Sequence, residues 1–166
     1  MPRNVAITMM PGTRSRITAP ELRRIARYVL YAEDVASSVE VEIVLADSDS
    51  SRELNRLYRG RDEPTDVLSF AASEGEAFLE APGEAPSLGE IVICVAVAEA
   101  QVEQARSSGD TVRTVDAEIA HLLVHGLLHL LGHDHEEGEA ESSAMQARED
   151  ELLRALGFGG RYAHGH

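Results

Sequence analysis

His125-Gly126-Leu127-Leu128-His129-Leu130-Leu131-Gly132-His133-Asp134-His135 is the segment of this chain best equipped for chemistry. Two histidines four apart on a helix project to one side, one turn above the other. Gly132 supplies a residue able to take the left-handed conformation that ends a helix, so His135 can return to the same point from another direction. Three neutral imidazoles on a divalent cation leave a position open for water, the arrangement of a catalytic zinc site. The expected ligands are therefore His125, His129 and His135, holding one Zn2+ per chain. The chemistry implied is metal-assisted hydrolysis.

The spacing matches the extended zincin motif H-E-x-x-H-x-x-G-x-x-H except at its second position, where Gly126 replaces the glutamate. A zincin-like metallopeptidase would lack the group that takes the proton from water, which argues against proteolysis. His121, one turn before His125, is expected to pack or to support a ligand through its other nitrogen rather than to bind metal. His133 is expected to face away. Asp134 is open between orienting a ligand, polarising water and capping a helix. Glu136, Glu137, Glu139 and Glu141 read as the solvated acidic start of a final helix.

These residues need a scaffold, and 166 residues suffice for one domain with a true core. The single cysteine, Cys94, precludes an internal disulfide and suits a reducing compartment. Met1–Arg16 lacks the apolar core of a signal peptide. Ile119–Leu131 is interrupted by three histidines and is too short to span a bilayer. A soluble cytoplasmic protein with no membrane partner is expected.

The net charge is −14, with every basic residue an arginine. Residues 1–64 hold ten arginines and ten acids, so the excess of acid lies entirely in 65–166. Any polyanion must therefore be met by a local arginine patch, and arginine forks bind phosphate bidentately.

Val5–Thr8 reads as a first strand. Pro20 and the spacing of Leu22, Ile25, Ala26, Val29 and Leu30 predict a helix over 20–34. Val39, Val41, Ile43 and Leu45 alternate with acids, as in a half-buried strand. Ser50 and Glu53 predict a capping box for a helix carrying Leu54, Leu57 and Tyr58. Strands are expected at Val67–Phe70 and Leu88–Val95, the latter covered on both faces. Helices are expected over 97–107, from near Asp110 to Leu131, and from Glu139 to Leu156. Residues 71–87 read as a long mobile loop and 158–166, with His164 and His166, as a flexible tail. The expected fold is α+β: a single domain spanning 1–157, with a mixed β-sheet of about four strands flanked by about five helices, and the metal site on a helix and the turn after it.

Two further segments carry a resemblance. Leu54 to Phe70 contains YRG-x-D-x-PTDVLSF, and Leu88 to Cys94 reads LGEIVIC. With the histidine motif they resemble the YbeY family of bacterial rRNA-maturation endoribonucleases, from about residue 40 to Gly157. The resemblance implies a metal-dependent endoribonuclease specific for single strands, acting on the 3′ end of small-subunit rRNA and in ribosome quality control. It implies the small ribosomal subunit and assembly factors as partners. Residue by residue, it makes His125, His129 and His135 zinc ligands and Arg59 the functional arginine near the metal. Ala71 and Val95 depart from the pattern, standing where proline is expected in many members.

In this reading Arg59 stabilises charge on the phosphoryl oxygens, and Arg61 extends the substrate contact. Arg56 reads as part of a solvated helix face. Tyr58 and Phe70, the nearby aromatics, are expected in the core. The base is open between a metal-held hydroxide, Asp134 and the RNA 2′-hydroxyl. The rival to a nuclease is a ribosome-assembly factor whose zinc is mainly structural.

Overall fold

The computed structural model describes residues 4–11, 13, 17–72, 86–109, 113–132 and 139–158. Along the chain run β1 (Asn4–Met9), α1 (Ala19–Ala32), β2 (Glu40–Ala46), α2 (Ser48–Arg59), β3 (Val67–Ala71), β4 (Ser87–Cys94), α3 (Val95–Ser107), α4 (Val115–Leu130) and α5 (Glu139–Ala155). The four strands form one mixed sheet in the order β1-β2-β4-β3. The first three are mutually parallel, and β3 runs antiparallel along the edge of β4. This is the expected α+β domain.

Alternation along β2 explains the layering. Val41, Ile43 and Leu45 enter the main core with Ile91 and Ile93 of β4, beneath α1, α4 and the end of α5. Val44, Ala46, Leu68 and Val92 face the other way into a smaller cluster, against which Leu54 and Phe70 pack. The apolar run Ile91 to Cys94 is buried throughout, as a strand covered on both faces requires.

α1 begins with Thr18, whose side chain accepts from the Glu21 amide, and buries the five apolar residues that its spacing picked out. α4 is the innermost helix, and its buried face runs from Ala117 through Leu128. It starts at Val115 under a Thr114 cap. The start expected near Asp110 falls at the edge of residues 110–112, which lie outside the described residues.

α2 corrects two expectations. Its cap is Asp47, which accepts from the Ser50 amide at 2.7 Å, so Ser50 sits inside the helix and forms no capping box with Glu53. A carboxylate placed three residues ahead satisfies the same orphan amide. The helix also buries Ser51 and Asn55 rather than its large apolar residues, and leaves Leu57 and Tyr58 exposed. Tyr58 is therefore not a core residue. Phe70 is half-buried on the smaller cluster.

Val95 heads α3, at the first helical position, where proline would also be tolerated. Ala71 closes β3 and Ser87 opens β4, while 73–85 of the expected loop lie outside the described residues. Phe158 packs on the main core and donates its amide to the Leu153 carbonyl; residues 159–166, including His164 and His166, lie outside the described residues.

Candidate active site

The polar residues buried under α2 explain how the arginine is placed. Ser51 Oγ donates to the Thr65 carbonyl and accepts from the Thr65 amide, both at 3.0 Å. Asn55 Nδ2 donates to the Glu63 carbonyl at 2.8 Å. These bonds hold the irregular segment 61–66 against the helix, satisfying groups that would be costly to bury unpaired. Gly60, with φ +74°, ends α2 as its amide bonds back to the Arg56 carbonyl. Arg59 thus sits on the last turn, beside the strand that the clamped segment leads into. Its Nη2 donates to the Ser69 carbonyl at 3.0 Å, and its Nη1 to the Tyr58 carbonyl at 3.3 Å.

That carbonyl lies on the free edge of β3. The Cys94 amide bonds to the Asp66 carbonyl, and alternation along an antiparallel ladder then turns the backbone groups of Leu68 and Phe70 toward β4 and those of Ser69 away from it. Asp66 fixes the start of the strand. Its carboxylate accepts from the Val67 amide at 2.8 Å and from Gln101 Nε2 at 3.2 Å.

Across this edge lies α4. Arg59, Asp66, Val67, Leu68, Ser69, Ala71, His125, His129 and Leu130 line one open cavity of about 450 Å3. The rings of His125 and His129 stand one helical turn apart, with centroids 5.6 Å apart. His125 Nδ1 meets Glu149 Oε2 at 2.5 Å, and His121 Nε2 meets the other carboxylate oxygen at 3.1 Å. Glu149 is buried. Burial alone would raise its pKa, but the hydrogen bonds to His121 and His125 outweigh that and hold it at about 2. A carboxylate on Nδ1 fixes the ring orientation and leaves Nε2 as the nitrogen able to take a metal. The two imidazoles are of the donor type a zinc ion takes.

The described residues contain no cluster of three ligand-type side chains around one point. His135 lies outside them, as do His133, Asp134, Glu136 and Glu137. Gly132 ends the helix with φ +98°, the left-handed turn its type suggested. Arg61 is exposed just past α2 and is not among the residues lining the cavity. Arg56 pairs with Glu53 at 2.5 Å, as a solvated helix face would.

Gly126 is seated where a side chain has little room. A Cβ there would stand 3.1 Å from both Ile91 Cγ2 and Ser69 Oγ. The position that carries the base in zincins is thus pressed against the sheet. Glu149, Asp66, Ser51 and Asn55 were not singled out by sequence reasoning. Glu149 hides in the run Arg148-Glu149-Asp150-Glu151, where nothing local distinguishes one acid from the next.

The structure thus defines an α+β domain in which two helix-borne imidazoles and an arginine line one cavity at a sheet edge. The comparisons give the particular family. The family model described as Endoribonuclease YbeY matches residues 12–157. A relative named Endoribonuclease YbeY from Roseiflexus sp. (strain RS-1) is 41% identical over 157 residues, covering 94% of each chain. Its namesake from Pelotomaculum thermopropionicum is 44% identical over 135 residues, covering 81% of this chain and 84% of the relative. The solution structure of TM1509 from Thermotoga maritima superposes with a TM-score of 0.60 at 28% identity, covering 92% of this chain and 88% of that one. This chain belongs to the endoribonuclease YbeY family, and the activity class that follows is endonucleolytic hydrolysis of RNA.

Proposed function

We propose that the protein is a zinc-dependent endoribonuclease specific for single strands, acting in maturation of the 3′ end of small-subunit rRNA and in ribosome quality control. The observation that carries this reading is the cavity in which Arg59 faces His125 and His129 across the edge of β3. His125 and His129 would hold the cation, with His135 as the third ligand. A bound zinc ion supplies Lewis acidity toward a phosphate oxygen.

The remaining work falls to the chain itself. Arg59 spends two donors on the Tyr58 and Ser69 carbonyls, which fixes its guanidinium at the rim. A guanidinium has five N–H donors, so others remain for the non-bridging oxygens as charge builds up. Glu149 keeps the His125 ring in one orientation. Arg61 would meet the RNA further along. A single strand suits an open cleft, since its backbone can bend to the site as a duplex cannot. The small ribosomal subunit and its assembly factors are the proposed partners, and the cytoplasm the proposed location. Among the described residues, no helix is long and apolar enough to cross a membrane.

Peptide hydrolysis is disfavoured because Gly126 supplies no carboxylate where the zincin motif carries its base, and a Cβ there would stand only 3.1 Å from Ile91 and Ser69. The test is cleavage of end-labelled single-stranded RNA beside unfolded casein, using protein as isolated, metal-stripped and zinc-restored, with His129→Ala as the control. RNA cleavage that follows zinc and is lost in the variant is expected. Casein cleavage would restore the peptidase. Zinc bound without cleavage of either would favour an assembly factor with a mainly structural metal.

A further inference from the structure

The aromatic residues beside Arg59 form a surface that the reaction chemistry does not use. Tyr58 is 60% exposed although it belongs to a well-formed helix. Its ring meets Phe70 edge to face, with centroids 5.1 Å apart and planes at 64°. Such a contact engages at most one face of Tyr58, and its exposure leaves the other open to solvent. The Arg59 guanidinium carbon lies 5.3 Å from the Phe70 ring centroid. Arg59 therefore touches Phe70, one ring of the aromatic pair, while bonding the Ser69 carbonyl at the cavity rim.

We infer that Tyr58, backed by Phe70 and flanked by Arg59, is a stacking platform for one base of a single-stranded RNA whose phosphate meets Arg59. This deepens the nuclease reading and rests on it. Arg59 links the two contacts, so a nucleotide with its phosphate on the guanidinium has its base within reach of the Tyr58 ring. An exposed ring beside a cation at the mouth of a cleft is how proteins hold single strands without reading sequence, because every base has a π-face.

Charge favours the same occupant. Arg52 is paired with Asp62 and Arg56 with Glu53. The hydrogen bonds described for Arg59 go to backbone carbonyls, so its charge is not spent on a carboxylate. In a chain of net charge −14, this leaves a local positive point next to an aromatic face. The packing of α2 gives the platform its rigidity. Leu54, one turn before Tyr58, packs on the smaller cluster with Phe70.

The experiment is binding of a short single-stranded oligoribonucleotide carrying one 2-aminopurine, with metal withheld so that cleavage does not intervene. Zinc-loaded protein then gives kcat and KM for the unlabelled strand. Wild type should quench the 2-aminopurine, and Tyr58→Ala should abolish the quench and weaken binding by about 5- to 100-fold. Tyr58→Trp should retain both. KM should rise in Tyr58→Ala with kcat little changed, because stacking acts on bound substrate and transition state alike. Replacing the base by an abasic residue should remove the difference between wild type and Tyr58→Ala. Equal binding and quenching in the two proteins, with RNA still cleaved, would overturn the platform and leave the nuclease reading standing. Equal RNA binding with only small-subunit association lost would overturn it in favour of a protein contact. Failure of wild type to bind or cleave RNA would overturn both.

Discussion

His125 on α4 and Glu149 on α5 meet at 2.5 Å, joining a candidate metal ligand to a buried carboxylate across 24 residues of sequence. With a pKa held at about 2, Glu149 is an anion throughout the physiological range. A carboxylate behind a ligating imidazole fixes its tautomer and raises its basicity. Glu149→Gln keeps the shape and removes the charge, so zinc affinity should fall by about 10- to 100-fold. Competition against a chromophoric chelator measures this directly, and unchanged affinity would show that Glu149 only packs.

Arg59→Ala should separate chemistry from folding. Arg59 is exposed, so the melting temperature and zinc content should stay close to wild type. Removing a donor that meets developing charge costs on the order of 10²–10³ in rate. Arg59→Lys should recover only part of that, because an ammonium lacks the planar fork that binds two carbonyls and a phosphate together. Single-turnover cleavage of end-labelled RNA gives the rates. Wild-type turnover in Arg59→Ala would remove this residue from the mechanism.

The sequence was most informative where a single element holds the answer. His125 and His129 share one helix, so spacing alone put them on one side, and the alternation in β2 identified its core face. Interactions between elements were not legible in the same way. The partner of His125 is one acid among neighbours on another helix, and only the packing of α5 on α4 selects it. The clamp that aims Arg59 is made by Ser51 and Asn55, small polar residues whose burial follows from tertiary structure. Tyr58 misled for the opposite reason. Aromatic residues are usually core, but its helix spends its buried face on that clamp. The cap of α2 was misjudged by three residues because Asp47 and Ser50 are both good capping types.

Gly126 should resist a large side chain. In an open helix Gly→Ala gains about 1 kcal/mol. Here the new Cβ would press on Ile91, which is fully buried, and on Ser69. Overpacking of this kind costs about 1–3 kcal/mol, so Gly126→Ala should be neutral to destabilising by up to about 2 kcal/mol. Gly126→Glu, which would complete the zincin motif, should lose more than about 3 kcal/mol and acquire no activity on casein. Urea midpoints give the stabilities. A stable Gly126→Glu protein that cleaves casein would contradict both the packing argument and the case against proteolysis.

Glu90 and Glu42 are register partners on β4 and β2, with Thr8 bonded to Glu42 beside them. Burial first, then the charge of Glu42 and a hydrogen bond with it, raises the pKa of Glu90. The folded state then holds this proton more tightly than the unfolded chain does. Between the ordinary carboxylate value, about 4.3, and the raised one, folding binds more protons, so stability falls as pH rises through that window. The cost is fully present once pH lies above the raised value. Glu90→Gln should therefore raise the neutral-pH melting temperature by about 1–2 °C, a modest gain because the pair is part-exposed and screened. That gain should vanish near pH 4, where the wild-type residue takes up its own proton. Melting curves of the two proteins at neutral and acid pH decide it: equal stability at neutral pH would mean that the two carboxylates do not repel.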